Sequence, residues 1–181
     1  FQNYQRINGV LIDFDQDMWR YISAHWLAQK PKKGEVGSST MPQKVNPIDF
    51  ENSEGNLGMS NALFEYFSRK LPVSRLQRDL SDSTVTRNIG VALGYSLVAY
   101  KSLSEGMRRV SPDLDTIASA LNADWSILAE GVQTILREAG IKDPYTLIAN
   151  LTRGRHIGKD EWKEWVDSLP ISDEQRDKVR D

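Results

Sequence analysis

The sequence predicts an all-α protein in which a bundle of long helices is followed by a compact region of short helices. Apolar residues recur at three- and four-residue spacing over long stretches, as on one face of a helix. Prolines and glycines interrupt these stretches, and no stretch keeps the period-two alternation of a β-strand. The change from long to short helices predicts two domains, residues 1–110 and residues 111–181.

The first two helices are predicted over about residues 3–29 and 48–70. The first should end before Pro31, because a residue that precedes proline is disfavoured in helical geometry. The second follows Pro47 and should end near Pro72. A polar stripe at positions i, i+4 and i+8 marks its first half: Asn52, Asn56 and Ser60.

A third helix is predicted over about residues 83–110, with Ser81 or Asp82 as its N-cap. Residues 89–100 carry no charge and are apolar nearly all round, which predicts a helix buried among other helices. This run is shorter than the roughly 20 residues that a bilayer requires, so we predict no membrane span. Two glycines should allow the close approach of a neighbouring helix: Gly90 and Gly94.

The second domain, which we expect to be incomplete, shows short helices with clear start and stop signals. Ser111 is predicted as an N-cap with Pro112 in the first turn, and a helix over about 124–139 should be closed by Gly140. Asp143-Pro144 marks the next helix start. Two more helices are predicted over about 160–168 and 173–180, the last with a Ser172–Gln175 capping box.

Composition excludes several classes of function. The 181 residues carry a formal net charge of -2, so the chain lacks the net positive charge that would support nucleic-acid binding. The chain has no cysteine, which excludes disulfides, thiolate chemistry and thiolate metal sites. The first residues lack the apolar core of a secretion signal, which favours a cytoplasmic protein. The chain also begins without methionine, so we expect it to be part of a longer protein.

Residues 37–47 form the most informative segment of the chain. Their order, Gly-Ser-Ser-Thr-Met-Pro-Gln-Lys-Val-Asn-Pro, places two adjacent hydroxyls, a cation and a carboxamide in one helix-breaking loop over residues 31–47. Such groups can hold an anionic substrate while a proton moves. The same residue types also occur in ordinary linkers between helices.

This order of residues resembles the signature loop of the fumarase/aspartase superfamily, whose members eliminate fumarate from substituted succinates. Further segments resemble the adenylosuccinate lyase family in particular: 48–56, 70–80, 82–88 and 151–154. The resemblance covers essentially the whole chain. It implies the long-helix bundle of that superfamily and a homotetramer whose active sites are shared between subunits.

The implied reaction is a β-elimination without a metal, catalysed by a carbon–nitrogen lyase of purine biosynthesis. Adenylosuccinate would give AMP and fumarate, and succinylaminoimidazole carboxamide ribotide (SAICAR) would give its carboxamide ribotide (AICAR) and fumarate. In that family the first loop serine, here Ser38, removes a proton from the carbon beside a carboxylate. A free serine is too weak an acid for this role, so closure of the loop over the substrate is expected to activate it. The other implied substrate contacts around the loop are Ser39, Lys44, Val45, Asn46 and Asn52.

The resemblance assigns the nucleotide side of the pocket to a later segment. Hydroxyls and N–H groups at a helix N-terminus, with nearby arginines, form a suitable phosphate site. Without the resemblance, the same segment would fit a capped helix with solvated arginines. The implied residues are Arg78, Ser83, Thr84, Val85, Thr86 and Arg87.

The two histidines, His25 and His156, lie outside these motifs and are expected to be packing or surface residues. The resemblance implies a general-acid histidine upstream of this chain, so we predict that the 181 residues alone are inactive. Gln43 stands where some adenylosuccinate lyases carry histidine and argininosuccinate lyases carry glutamine. Another fumarate-releasing lyase such as argininosuccinate lyase is therefore one alternative, and a noncatalytic scaffold of the same fold is another.

Overall fold

The computed structural model describes residues 1–32, 34, 40 and 45–180. The predicted all-α class is confirmed in these residues, whose one sheet is a short pair of antiparallel strands. The chain forms two compact units, Phe1–Asp113 and Leu114–Asp181. As a domain assignment, the boundary after residue 110 stays a prediction.

The first unit is built on long helices. In chain order its elements are α1 (Gln2–Ser23), β1 (Leu27–Gln29), α2 (Ile48–Lys70), α3 (Ser81–Thr86), α4 (Ile89–Arg109) and β2 (Val110–Pro112). Helix α2 packs against both α1 and α4. Its buried side chains include Phe50, Leu57, Phe64 and Phe67, so α2 supplies most of the apolar core of this unit.

A buried polar cluster joins the three long helices. The amide nitrogen of Asn8 donates to Ser96 Oγ at 3.1 Å and to Ser60 Oγ at 3.4 Å, and the Tyr100 hydroxyl donates to Asn8 Oδ1 at 2.6 Å. The hydroxyl oxygens of Ser60 and Ser96 lie 2.7 Å apart. Each group would be costly to bury without a partner, so the cluster fixes the register of α1 against α2 and α4.

The predicted first helix over 3–29 is too long, since α1 ends at Ser23. His25 has φ 61, a left-handed conformation that a helix cannot continue. The residues after it form β1, which pairs antiparallel with β2. The helix start predicted at Ser111 and Pro112 is also wrong, because both residues lie in β2.

The predicted third helix is interrupted between α3 and α4, at Arg87 and Asn88. The N-cap position of α3 is held by Leu80, so the prediction of Ser81 or Asp82 as the cap is wrong. Both polar residues lie inside the first turn of α3. There they bond to neighbouring side chains instead of capping the helix.

The close approach between helices occurs at Gly106, not at Gly90 or Gly94 as predicted. A Cβ atom at Gly106 would lie 2.9 Å from Phe50 Cζ and 3.1 Å from Asp49 Cβ. Within the described residues, a Cβ atom at Gly90 or Gly94 would meet nothing within 4 Å. The C-terminal part of α4 can therefore touch the first turn of α2 because residue 106 has no side chain.

The uncharged part of α4 is less buried within this unit than the sequence predicts. Ala92, Ser96 and Ala99 are buried against α2, but Leu97 is 54% exposed and Val98 is 49% exposed. One apolar side of α4 therefore faces away from the unit's own core.

The second unit consists of short helices: α5 (Leu114–Ala123), a 3-10 turn (Trp125–Leu128), α6 (Ala129–Glu138), α7 (Pro144–Thr152), α8 (Lys159–Asp167) and α9 (Asp173–Arg180). Its core includes Leu136, Ile157, Trp162 and Val166. The helix predicted over about 124–139 is divided into the 3-10 turn and α6, and Asp124 accepts from Ser126 N at 3.0 Å at its start. The other local signals predicted here are confirmed: Gly140 follows α6 with φ +80, Asp143 caps α7 with Pro144 in its first turn, and Ser172 and Gln175 form the capping box. No helix in the described part of the chain is long and apolar enough to cross a bilayer.

Candidate active site

Three of the predicted site residues, Ser38, Ser39 and Lys44, lie outside the described residues. The structure does describe both ends of their loop. Gln29 Nε2 donates to the main-chain oxygen of Asn46 at 3.0 Å, which joins the residues before and after the loop. Asn46 is therefore held at the loop's base, and Val45 beside it is 42% exposed.

Arg109, at the end of α4, contacts both sides of the loop base. Its Nε donates to the main-chain oxygen of Lys30 at 3.1 Å, and the Lys30 N–H donates to the main-chain oxygen of Arg109 at 2.8 Å. Its Nη1 forms an ion pair with Asp49 Oδ2 in the first turn of α2. Since Arg109 is buried, the two ends of the loop are fixed by a side chain that the sequence analysis did not single out.

Asn52 lies one turn into α2, and its exposed side chain is hydrogen-bonded on two sides. Its Nδ2 donates to Ser102 Oγ at 3.0 Å, and the Ser102 hydroxyl donates to the main-chain oxygen of Asp49 at 2.8 Å. Asn56 Nδ2 donates to Asn52 Oδ1 at 3.0 Å. The amide is thus presented to solvent in a fixed orientation close to the end of the signature loop.

Acidic side chains lie beside Asn52 on the face of α2 that meets α1. Trp19 Nε1 donates to Glu51 Oε1 at 3.1 Å, and Gln16 Nε2 donates to Glu54 Oε1 at 2.9 Å. Neither glutamate is among the predicted site residues, although Glu51 directly precedes Asn52. Both carboxylates are therefore held in place by neutral donors next to the candidate site.

Arg78 and the segment 83–87 lie around α3. Arg78 is exposed, and its Nε donates to Asp82 Oδ2 at 3.3 Å; this contact lowers the pKa of the Asp82 carboxyl. Ser83 is partly buried, whereas Thr84, Thr86 and Arg87 are exposed on the surface. The Thr86 hydroxyl donates to the main-chain oxygen of Ser83 at 3.2 Å. The side chain of Val85 is 5% exposed and packs with Phe64 and Phe67, so a ligand could reach Val85 only through its main chain.

Asp79 organises the turn that carries Arg78. It accepts hydrogen bonds from the Ser81 hydroxyl and main-chain N–H and from the side chain and main chain of Arg75. These bonds, the Ser81 hydroxyl first, hold the pKa of Asp79 well below its usual range. The carboxylate therefore stays ionised and keeps the turn before α3 folded.

The two groups of predicted site residues lie at opposite ends of α2. Asn52 is in its first turns, whereas Val85 packs on Phe64 and Phe67 in its last turns. Fifteen residues separate Asn52 from Phe67, which corresponds to about 22 Å along a helix axis at 1.5 Å per residue. Within one chain, the described residues do not bring the loop base and the nucleotide segment together.

The histidines agree with their expected surface placement. His25 is exposed in the turn after α1, and His156, in the second unit, is exposed with Nδ1 2.9 Å from Asp124 Oδ2. Asp124 also accepts from the main-chain N–H groups of Ser126 and Ile157, so this contact belongs to a helix cap. The described residues contain no cluster of histidine and carboxylate side chains that could hold a metal ion.

Residues 1–60, which include the first long helix and the signature segment, match the family model described as Lyase. Residues 74–181 match the model described as Adenylosuccinate lyase C-terminal, and the chain belongs to that family.

Curated relatives match almost the whole chain. The adenylosuccinate lyase of Escherichia coli is 48% identical over 180 residues, which cover 99% of this chain and 40% of that protein. The adenylosuccinate lyase of Dictyostelium discoideum is 48% identical over 180 residues, covering 98% of this chain and 39% of that protein. That of Vibrio cholerae is 46% identical over 180 residues. The chain therefore spans about 40% of the length of these relatives.

Proposed function

We propose that this chain is part of an adenylosuccinate lyase that releases fumarate from adenylosuccinate to give AMP, and from SAICAR to give AICAR, in purine biosynthesis. The observation that carries the proposal is the signature segment 37–47, whose base is fixed beside an exposed Asn52. The 48% identity to the Escherichia coli adenylosuccinate lyase supports the choice of substrate. The enzyme would act in the cytoplasm and without a metal or other cofactor.

In this proposal Ser38 is the base of the elimination. It takes a proton from the carbon beside a carboxylate, the electron pair forms the double bond of fumarate, and the carbon–nitrogen bond breaks. Negative charge builds on that carboxylate as the proton leaves, so Lys44 and the donors of Ser39, Asn46 and Asn52 would stabilise it. The departing nitrogen takes its proton from a general acid that lies outside these 181 residues.

The nucleotide would bind at Arg78 and at residues 83–87. Arg78 and Arg87 are exposed and can approach a phosphate, and Thr84 adds an exposed hydroxyl. The Thr86 hydroxyl, which donates to the main-chain oxygen of Ser83, would have to turn from that acceptor to the phosphate. The ion pair between Arg78 and Asp82 is also exposed, so a phosphate could replace the carboxylate at little cost.

We also propose a homotetramer with active sites shared between subunits. The separation of about 22 Å along α2 supports sharing, because it places the two halves of the candidate site at opposite ends of one subunit. Exposed apolar side chains on the long helices support assembly, because contact with another subunit would remove them from water. They include Ile7, Val10, Met59, Val91, Leu97 and Val98. A single chain of 181 residues would therefore be inactive.

Replacing the base tests the proposed reaction. In the longer protein that carries this chain, Ser38→Ala is expected to lower turnover of both substrates about 100- to 10,000-fold, the usual contribution of a general base. Release of fumarate is followed by absorbance. Ser104→Ala is the matched control, because Ser104 is an exposed serine on α4, and it should leave turnover unchanged.

Three outcomes would contradict the proposal. Unchanged turnover in Ser38→Ala would remove Ser38 from the role of base. Turnover of argininosuccinate in place of adenylosuccinate would favour the alternative lyase. Failure of the unaltered protein to act on any of these substrates would favour a noncatalytic scaffold.

A further inference from the structure

We propose that Ser102 is a positioning residue, which holds the carboxamide of Asn52 in the orientation that binds substrate. The inference rests on the proposed function, in which Asn52 contacts the substrate. Ser102 lies on α4 and is partly buried beside the first turns of α2. It would act through Asn52 without touching the substrate itself.

The direction of the hydrogen bonds follows from a main-chain oxygen. The Ser102 Oγ lies 2.8 Å from the main-chain oxygen of Asp49, which can only accept, so the hydroxyl proton points to Asp49. The same Oγ lies 3.0 Å from the side chain of Asn52 and must accept there. The Asn52 atom that faces Ser102 is therefore the nitrogen, because an oxygen in that place would face a lone pair.

A second main-chain oxygen gives the same orientation independently. Asn56 Nδ2 lies 2.7 Å from the main-chain oxygen of Asn52, which again can only accept, so this Asn56 atom is a donor. It also lies 3.0 Å from the side-chain atom of Asn52 that faces away from Ser102. That atom must be the oxygen, so both neighbours select one of the two possible amide orientations.

These bonds leave the exposed amide with defined binding capacity. Within the described residues, one N–H of Asn52 and one lone pair of its Oδ1 have no partner. The N–H suits a carboxylate oxygen of the succinyl group. Holding the amide before substrate arrives reduces the ordering that binding would otherwise require.

Single substitutions in the longer protein test the role of Ser102. Ser102→Ala removes the acceptor and is expected to raise KM about 3- to 10-fold, the value of one hydrogen bond, with a smaller change in kcat. Ser102→Thr keeps the hydroxyl and is expected to restore the KM. Ser104→Ala, on the same helix but exposed, is the matched control and should not change KM. Thermal unfolding of each variant checks that it folds. Asn56→Ala is a second test variant: it removes the hydrogen bond on the other side of the Asn52 amide and should also raise KM.

A double substitution separates failure of this inference from failure of the proposed function. Asn52→Ala should raise KM by itself, and adding Ser102→Ala should cause no further change. If Asn52→Ala raises KM but Ser102→Ala or Asn56→Ala does not, the positioning role is overturned and the substrate contact stands. Additive effects of Asn52→Ala and Ser102→Ala would overturn it too. If Asn52→Ala leaves KM unchanged, the assignment of Asn52 to the site fails, and the inference fails with it.

Discussion

Loss of the Arg109 side chain should loosen the base of the signature loop. In Arg109→Met the Asp49 carboxylate, whose side chain is 15% exposed, would lose its ion-pair partner, and the main-chain oxygen of Lys30 would lose a donor. Removing one partner of a buried ion pair costs about 3–5 kcal/mol. Because Asp49 keeps some contact with solvent, we expect about 3 kcal/mol from the ion pair, and about 1 kcal/mol more from the bond to Lys30.

Urea unfolding of the longer protein, followed by circular dichroism, measures this loss. Arg108→Met is the matched control, because Arg108 is 74% exposed and pairs with Glu105 at the surface. Its unfolding free energy should stay within about 0.5 kcal/mol of the unaltered protein. The double variant Asp49→Asn/Arg109→Met should lose only about 1–2 kcal/mol, since no buried charge is left without a partner. Equal losses in Arg109→Met and Arg108→Met would refute the argument, as would a double variant no more stable than Arg109→Met.

Two further predictions concern a buried carboxyl and the shared sites. Burial raises the pKa of Asp15 from 3.8 to about 6; the Ser53 hydroxyl lowers this pKa and the nearby Glu54 raises it further. The native state therefore holds this proton more tightly than the unfolded chain does. The stability that this group contributes is full below about pH 4 and is lost as the pH rises through 6. Asp15→Asn does not titrate, so its unfolding free energy relative to that of the unaltered protein should be up to about 3 kcal/mol more favourable at pH 8 than at pH 4. A variant with the same pH dependence as the unaltered protein would contradict this. Mixing inactive Ser38→Ala and Arg87→Ala subunits after dissociation and reassembly should restore about a quarter of the activity if each site takes its loop and its nucleotide segment from different subunits. Absence of recovery in verified mixed tetramers would contradict shared sites.

Local signals in the sequence predicted local structure well. The cap at Asp143 and the capping box of Ser172 and Gln175 depend on residues within one turn of each other, and all of them form as predicted. The end of α1 was predicted six residues too late, because it depends on the pairing of β1 with β2, and the register joins Leu27 to the distant Pro112. Sequence spacing cannot show a partner that lies so far along the chain.

The same limit applies to the candidate site. The order of residues 37–47 predicts the chemistry, because the reacting groups are neighbours in the sequence. The residues that hold the site, Arg109 and Ser102, come from a helix more than 50 positions later and belong to no recognisable motif. Gly106 was missed for a related reason: the sequence shows several glycines in α4, but only packing against Phe50 identifies the one that needs to lack a side chain.

Helix α4 therefore sets the geometry at the loop end of α2. Ser102, Gly106 and Arg109 follow one another at four- and three-residue spacing, so they lie on one face of the helix. Ser102 fixes the amide of Asn52, Gly106 admits the first turn of α2, and Arg109 joins the two ends of the loop. Because one rigid helix carries all three contacts, a small shift or rotation of α4 would move the loop base and Asn52 together. The same helix carries exposed apolar residues proposed to meet other subunits, among them Leu97 and Val98. Assembly would therefore bear on the position of this helix and on the geometry of the site.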